Sequence, residues 1–224
     1  MKSDFKHSEI KNKIRDWWDD PSQDYDGFIG HGVNSEIEKE LWGNEIAQLF
    51  GHRQDLKILD IGTGTGFLAL LLAGMGYEIT AVDWSTTMMQ RAKEKAKAAQ
   101  IPILFEVQDA ENLTFPDASF DAVVSRHVLW TLADPVRASR EWARVIKPGG
   151  MIITDIPRQG SHSGKHHYGD EIGEQLPLGN GADPEELIAM FKEAGLANVN
   201  LKLMEKQGER EQHRKILLIC GEKI

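Results

Sequence analysis

Cysteine is almost absent from this chain of 224 residues, which contains Cys220 alone. A single cysteine excludes a disulfide within the chain and suits a reducing compartment, so we expect a cytoplasmic location. Cys220 follows an apolar run, which favours a core position over a reactive thiol. No continuous apolar run approaches the roughly 18 residues of a membrane span, and the N-terminal residues do not resemble a signal peptide.

Basic residues are also fewer than acidic ones. Lysine and arginine total 26 against 35 acidic residues, so the formal net charge is -9. An acidic surface repels phosphate backbones, and we therefore expect no nucleic-acid partner. The hydrophobic fraction of 41% is enough for a sizeable core, and the length is most simply that of one globular unit.

From residue 57 onward, apolar strand-like segments alternate with helical ones. The pattern predicts helices at about 66–74 and 85–99, and two more that begin at Asp134-Pro135 and Asp183-Pro184, each an N-cap followed by proline. Strands are predicted at 57–61, 77–82, 103–107, 120–124, 151–155, about 198–204 and about 214–220. This order predicts an α/β fold, a Rossmann-like seven-stranded and mostly parallel sheet with helices on both faces.

Two regions fall outside the alternation. Residues 1–50 are expected to form an N-terminal helical lid over the site, with one helix at 8–18 and a second that begins at Ser35, where Glu38 completes a capping box. Residues 51–224 would form the remainder of the unit. Within them, the polar and glycine-rich stretch 157–181 is expected to be an irregular loop over the site.

The first strand ends in Asp60 and enters a turn at 62–66 that has a glycine at every second position, and the next strand ends in Asp83. A strand, a glycine turn, a helix and an acid at the next strand tip are typical of nucleotide-binding α/β proteins. Phe67 stands where the dinucleotide fingerprint has its third glycine, and the Asp60 carboxylate would repel a pyrophosphate. Both observations count against an NAD-type oxidoreductase and favour a ligand with a cationic amino-acid end.

Five ordered elements then carry a family resemblance. They are Leu59–Gly66, Val82-Asp83, Gln108-Asp109-Ala110, Phe120–Ser125 and Lys147–Gly150. With them the chain resembles class I S-adenosylmethionine-dependent methyltransferases, and more narrowly the small-molecule branch that includes the ubiquinone/menaquinone-biosynthesis type. The resemblance covers about 55–155, and 183–220 by layout alone. It implies an S-adenosylmethionine cofactor and a small-molecule methyl acceptor, and we expect a monomer or homodimer.

The resemblance also implies which residues bind the cofactor. The glycine turn and its acid would hold the methionine end, and Asp83 would accept hydrogen bonds from both ribose hydroxyls. Two further groups would contact the adenine, and the tip of the fourth strand would border the sulfonium. The implied residues are Asp60, Gly62, Thr63, Gly64 and Gly66 for methionine, Asp83 for ribose, Trp84, Met88, Asp109 and Ala110 for adenine, and Ser125 and Arg126 for the sulfonium.

Methyl transfer is an in-line displacement that needs alignment and exclusion of water more than catalytic side chains. His127 follows the fourth strand and is the best candidate for a general base, with Asp155 as a weaker one. Aromatic residues outside the sheet suit an apolar or planar acceptor. The predicted acceptor-contacting residues are Trp18, Tyr25, His31, Trp130, His166 and Tyr168.

Three questions remain open at this point. The loop 162–168 holds three histidines, but no carboxylate or cysteine lies at a ligand spacing, so we expect no metal. Ser125-Arg126-His127-Val128 lacks the prolines of enzymes that methylate base amino groups, although a protein or RNA acceptor, or a non-catalytic S-adenosylmethionine-binding role, stays possible. The motifs do not specify the acceptor atom.

Overall fold

The computed structural model describes residues 2–20, 25–27, 36–51, 53, 55–156, 163–206 and 214–224. Seven longer helices and seven strands run through these residues, together with short 3-10 turns at Tyr25–Gly27 and Leu129–Thr131. The helices are α1 Lys2–Asp19, α2 Glu36–Phe50, α3 Phe67–Gly74, α4 Thr86–Ala99, α5 Pro135–Val145, α6 Ser163–Gly173 and α7 Pro184–Glu193. The strands are β1 Lys57–Ile61, β2 Glu78–Asp83, β3 Leu104–Val107, β4 Phe120–Ser125, β5 Ile146–Asp155, β6 Leu196–Lys206 and β7 Arg214–Lys223.

The seven strands form one sheet in the order β3-β2-β1-β4-β5-β7-β6. The pairs from β3 through β5 are parallel, whereas β7 runs antiparallel to both β5 and β6. The predicted fold class is thus confirmed. The chain proceeds outward from β1 to β3 and then returns to β4 on the other side of β1. Parallel sheets of this kind open a crevice at the carboxyl ends of the strands where the order reverses.

Side-chain caps start the helices where the sequence predicts them. The Ser85 hydroxyl accepts a hydrogen bond from the backbone N–H of Met88, which begins α4. Asp134 and Asp183 cap α5 and α7 in the same way, each with proline in the first turn. These caps satisfy N–H groups that have no partner inside the helix, so they specify the helix starts locally.

The core lies on both faces of the sheet. Trp142 of α5 and Phe191 of α7 are buried on one face. On the other face, Trp42 and Ile46 of α2 pack with residues of α3 and β1. The fully buried position of Trp42 corrects the expectation that all of 1–50 is a lid, because α2 belongs to the core layer, whereas α1 lines the cleft described below.

A second correction concerns 157–181, which we expected to be irregular. Residues 163–173 form α6, whose helical geometry is interrupted at Gly169 with φ 74°. Tyr168 and Leu176 of this region are buried against Trp130, with Trp17 and Trp18 of α1 around them. The helix is stabilised by this long-range packing rather than by a periodic apolar pattern in its own sequence, which is why the sequence did not reveal it.

Cys220 is buried in the core, as predicted, and burial raises the pKa of its thiol to about 12. Of the helices in the described residues, none has the length and apolar character to cross a membrane.

Candidate active site

A cleft of about 870 Å³, open mouth included, lies at the carboxyl ends of β1, β2 and β4, with α1 across it. Most of the predicted site residues meet here. Those that line the cleft are Trp18, Tyr25, Gly62, Gly64, Asp83, Trp84, Met88, Asp109, Ala110, Arg126, His127 and Trp130. Asp60, Thr63, Gly66 and Ser125 are buried behind its wall, and Tyr168 packs against Trp18. His31 and the side chain of His166 lie outside the described residues.

The glycine turn forms the floor of the cleft. Gly62 and Gly64 have φ values of 66° and 55°, a region that L side chains rarely adopt. A Cβ atom on Gly62 would lie 2.3 Å from a methyl group of Val128, and one on Gly64 would point at the Tyr25 ring, 3.6 Å away. Glycine at both positions lets Val128 and Tyr25 pack closely against the turn and leaves its backbone accessible to a ligand.

Asp60 supports this turn from behind. Its carboxylate accepts hydrogen bonds from the Thr63 hydroxyl at 2.7 Å and from the backbone N–H of Ala69 at 3.1 Å. Burial raises the pKa of Asp60 to about 7, although both hydrogen bonds oppose that shift. Both hydrogen bonds are accepted by the same carboxylate oxygen, so they hold the side chain against the turn and the start of α3. The expectation that Asp60 holds the methionine end stays a prediction.

Asp83 is the carboxylate that does face the cleft. One oxygen accepts the backbone N–H of Gly64 and the other accepts that of Ser85, both at 2.8 Å. Burial raises the pKa of Asp83 to about 6, with these two hydrogen bonds opposing it. The side chain is therefore held in one orientation between the glycine turn and the start of α4.

At one end of the cleft, α1 supplies a basic residue to two carboxylates. The Lys11 ammonium donates to Asp109 at 2.6 Å and to the buried Glu111 at 2.7 Å, and it lies 4.7 Å from the centre of the Trp84 ring. Glu111 also accepts the backbone N–H groups of Ala133 and Asp134. Although burial opposes the shift, these partners hold the pKa of Glu111 below its usual value. Neither Lys11 nor Glu111 was anticipated from the sequence.

At the other end, His127 and Asp155 form a close pair. The ring Nδ1 of His127 lies 2.6 Å from one carboxylate oxygen of Asp155, and the His127 backbone N–H donates to the other, also at 2.6 Å. Burial alone would raise the pKa of Asp155, but the imidazole and its hydrogen bonds outweigh burial and hold that pKa low. With Nδ1–H donating to Asp155, Nε2 becomes the basic nitrogen of the ring.

Next to this pair lies Arg126, which forms an ion pair with Glu38 of α2. Both side chains are almost completely buried, and the guanidinium carbon lies 3.9 Å from the centre of the Phe67 ring. The sequence indicated Glu38 only as a capping-box partner of Ser35, a residue outside the described part of the chain. The ion pair joins positions 88 residues apart, and no local pattern reveals it.

Aromatic side chains close the cleft opposite the sheet. The Trp18 and Tyr25 rings meet edge to face with centroids 5.5 Å apart, and the Trp18 indole N–H donates to the Tyr168 hydroxyl at 2.6 Å. Asp26 anchors the Tyr25 turn, since its carboxylate accepts the Thr65 hydroxyl at 2.6 Å and pairs with Lys95. Burial raises the pKa of Tyr25 well above its usual value, so the phenol stays neutral.

Comparison with known proteins agrees with this geometry. Residues 59–154 match the family model described as a methyltransferase domain. This part of the chain is a methyltransferase domain. The chain is 35% identical over 137 residues to the putative methyltransferase YqeM of Bacillus subtilis, an alignment that covers 59% of this chain and 51% of the relative.

Two further similarities bear on the family. Over 150 residues the chain is 33% identical to the ubiquinone/menaquinone biosynthesis C-methyltransferase UbiE of Bdellovibrio bacteriovorus, with 66% of this chain and 63% of the relative covered. The chain thus spans between about half and two thirds of these curated relatives' lengths. The structure of a SAM-dependent methyltransferase from Methanosarcina mazei has a TM-score of 0.63 at 23% identity, covering 80% of this chain and 97% of that one.

S-adenosylmethionine is the cofactor that the sequence predicts, and the Methanosarcina mazei protein is named as dependent on it. The residues present fit it. Gly62 and Gly64 offer bare backbone, and Asp83 presents a carboxylate beside them in a fixed orientation. Trp84 and Met88 give the adjoining part of the wall an apolar surface of the kind that a purine requires.

Metal binding has no structural support in the part of the chain whose side chains are described, since no group of three or more histidine, cysteine or acidic residues there is arranged to hold an ion. The side chains of residues 162–167 lie outside that part. The expectation of no metal at the histidine-rich loop therefore stays a prediction.

Proposed function

We propose that the protein transfers a methyl group from S-adenosylmethionine to a small, planar acceptor that carries an ionisable proton. The observation that carries this proposal is the juxtaposition, in one cleft, of the cofactor-type wall with the His127–Asp155 pair and an aromatic cover. The methyltransferase domain accounts for the donor side. The proposal for the acceptor side depends on side chains that lie outside the motifs of the domain.

On the donor side, Asp83 would accept the two ribose hydroxyls while Gly62 and Gly64 border the methionine part. Trp84, Met88, Asp109 and Ala110 would enclose the adenine. The bound cofactor supplies an activated methyl group on a sulfonium, so the protein is required chiefly to align the reactants and to exclude water. Ser125 and Asp60 would act from behind the wall, by keeping the strand tip and the glycine turn in place.

On the acceptor side, Trp18, Tyr25 and Trp130 provide flat apolar surfaces on which a ring can lie. His127 Nε2 would receive the proton of the acceptor as the acceptor atom bonds to the methyl carbon, and the sulfur–carbon electron pair would remain on sulfur. Asp155 holds the imidazole in orientation and stabilises its cationic form. The UbiE relative is named for methylation in quinone biosynthesis, which supports a ring acceptor here.

We further propose that α1 is the lid of this site. It is attached beside the cleft at two points: Lys11 pairs with Asp109, and Asp19 accepts the Ser85 hydroxyl at 2.8 Å and the backbone N–H of Thr87 at 3.1 Å. A helix so placed covers the predicted adenine contacts and contributes Trp18 to the acceptor side. Exclusion of water would follow from its closure.

The test is turnover with methyl-labelled S-adenosylmethionine and a panel of small acceptors. The panel pairs hydroquinones and phenols with amines and aliphatic acids of matched size, and S-adenosylhomocysteine release is measured by mass spectrometry. Labelled product should form with hydroxyl-bearing rings and not without an acceptor. Binding of the donor in calorimetry with no turnover on any acceptor would favour a non-catalytic role, and NADH binding in place of both cofactor forms would overturn the proposal.

A further inference from the structure

The Asp26 carboxylate joins three elements behind the wall of the cleft. One of its oxygens accepts the Thr65 hydroxyl at 2.6 Å, and the other accepts a hydrogen bond from the Lys95 ammonium at 2.5 Å. Thr65 belongs to the glycine turn and Lys95 to α4, whereas Asp26 belongs to the short turn Tyr25–Gly27. None of these three residues lines the cleft, so the donor and acceptor contacts do not account for them.

The turn Tyr25–Gly27 depends on these contacts for its position. It is a 3-10 turn of three residues, too short to be stable through its own backbone hydrogen bonds. Thr65 is completely buried, and the Lys95 and Asp26 side chains are 27% and 28% exposed. A mostly shielded carboxylate that accepts a hydroxyl and an ammonium makes stronger contacts than an exposed surface ion pair does. The Asp26 carboxylate is therefore the anchor of the turn.

The close approach of α4 explains why Lys95 reaches Asp26. Gly66 ends the glycine turn with φ 93°, and a Cβ atom there would lie 3.2 Å from the Cβ of Ala92. Glycine at this position lets α4 pack closely against the turn. Lys95 follows Ala92 by three residues, so both lie on the same side of the helix. The glycine turn, α4 and the Tyr25 turn consequently meet at one carboxylate.

The anchored turn presents the Tyr25 ring to the cleft. Two ring carbons and the phenol oxygen lie 3.6 to 3.8 Å from the place of a Cβ atom on Gly64, and the ring meets Trp18 edge to face. The ring thus covers the cleft at the glycine turn, where the proposed function places the amino-acid part of the donor. Displacement of Tyr25 would open that part to water and leave the adenine contacts around Trp84 in place.

We propose that Asp26 is a positioning residue that sets the affinity of the site for the amino-acid part of S-adenosylmethionine. It does so by holding Tyr25 over Gly64, and its hold depends on the two anchoring contacts. This inference rests on the proposed function. It adds to the site a turn that lies outside residues 59–154, the part of the chain that matches the family model.

The test compares two ligands by calorimetry. S-adenosylhomocysteine has the amino-acid part, whereas 5′-methylthioadenosine has the adenosine and the sulfur without it. Lys95→Met removes one anchoring contact and changes no residue that lines the cleft. It should weaken S-adenosylhomocysteine binding about 3- to 10-fold, the range expected for one net hydrogen bond, and leave 5′-methylthioadenosine binding unchanged. Thr65→Val removes the other contact and should change the ratio of the two dissociation constants in the same direction.

A second comparison shows whether Asp26 acts through Tyr25. Tyr25→Leu removes the flat ring and should also weaken S-adenosylhomocysteine binding selectively. In that background no ring remains to be positioned, so Lys95→Met should cause no further loss of affinity. A further loss of the same size would mean that the anchor acts on the ligand by another route, and the proposal would be wrong.

Lys147→Met is the matched control. Lys147 pairs with Asp121 at 2.9 Å and, like Lys95, does not line the cleft. Asp121 stands near the start of β4, away from the strand ends that form the cleft. Loss of this ion pair should therefore leave the affinities for both ligands constant.

The outcomes separate this inference from the proposed function. Unchanged S-adenosylhomocysteine affinity in Lys95→Met, or equal weakening of both ligands, overturns the role of Asp26. If Lys95→Met does not fold, Thr65→Val and Asp26→Asn decide by the same ratio. If the unmodified protein binds neither S-adenosylmethionine nor S-adenosylhomocysteine, the proposed function itself fails.

Discussion

Replacing Asp83 by asparagine should weaken cofactor binding and remove its pH dependence near 6. The two carboxylate oxygens already accept the N–H groups of Gly64 and Ser85, so an asparagine NH₂ must face one of these donors. Asparagine also offers one acceptor oxygen where a bound ribose needs two. Hydrogen bonds to a charged group contribute about 1.5–3 kcal/mol, so we expect affinity for S-adenosylhomocysteine to fall roughly 10- to 150-fold.

The pH dependence follows from the pKa of Asp83, which burial raises to about 6. The carboxylate form accepts hydroxyl hydrogens, so affinity should be full above about pH 7 and should fall as the pH drops through 6. Asp60, with a pKa of about 7, titrates nearby, and Asp83→Asn separates the two because it removes only the contribution of Asp83. Calorimetry between pH 5.5 and 8 on both proteins gives the comparison.

Stability should move in the opposite direction. Since the folded-state pKa of Asp83 lies above the ordinary carboxyl value, the folded state binds more protons than the unfolded state between about pH 4 and 6, and ionisation there costs stability. Asparagine cannot ionise, so this contribution to the pH dependence of the melting temperature should be absent in the ligand-free variant. The hydrogen bond lost where the NH₂ faces a backbone N–H lowers stability at every pH. Unchanged affinity, or a step near pH 6 that persists in Asp83→Asn, would refute the role of this carboxylate.

Three further predictions concern other parts of the cleft. His127→Ala should slow turnover by about 10²- to 10⁴-fold, the usual contribution of a general base, with S-adenosylhomocysteine affinity nearly unchanged. Asp155→Asn should also slow turnover, and a normal rate in either variant would remove the pair from the mechanism. Gly62→Ala should lower the free energy of unfolding in urea by about 1–3 kcal/mol, because the new Cβ would lie 2.3 Å from Val128 and the residue has a positive φ. Gly74→Ala is the control and should be neutral or stabilising, because a Cβ there meets nothing within 4 Å. Lys11→Met should speed S-adenosylhomocysteine dissociation in stopped-flow measurements, because α1 loses its contact with two carboxylates; an unchanged dissociation rate would argue against α1 as a lid.

Much of the fold could be predicted because its signals are local. Each strand from β1 to β4, and the second half of β5, is a short and mostly apolar run. Helices α4, α5 and α7 begin at capping residues that act within three positions of themselves. The glycine turn and Asp83 are likewise recognisable from the local sequence. Positive φ and close approach of the backbone demand glycine wherever the turn occurs.

The predictions failed where structure depends on distant partners. Helix α6 has little periodic pattern and is stabilised by packing of Tyr168 on Trp18 and Trp130. Residues 1–50 were treated as one lid because they fall outside the alternation of strands and helices, but the burial of Trp42 places α2 in the core. Asp60 could be identified as a site residue, yet its orientation toward Thr63 and α3 was not evident from the motif.

Sequence alone determined the order of strands and helices, the glycine turn and the acid that follows it, since each is set by the conformational preferences of neighbouring residues. Tertiary structure alone decided that Asp155 contacts His127, that Lys11 reaches Asp109, and that Glu38 pairs with Arg126. These pairs join residues 28 to 98 positions apart. Charges come together over such separations only after the sheet and its helices have packed, because the cost of burying each one is met by a partner that the local sequence does not specify.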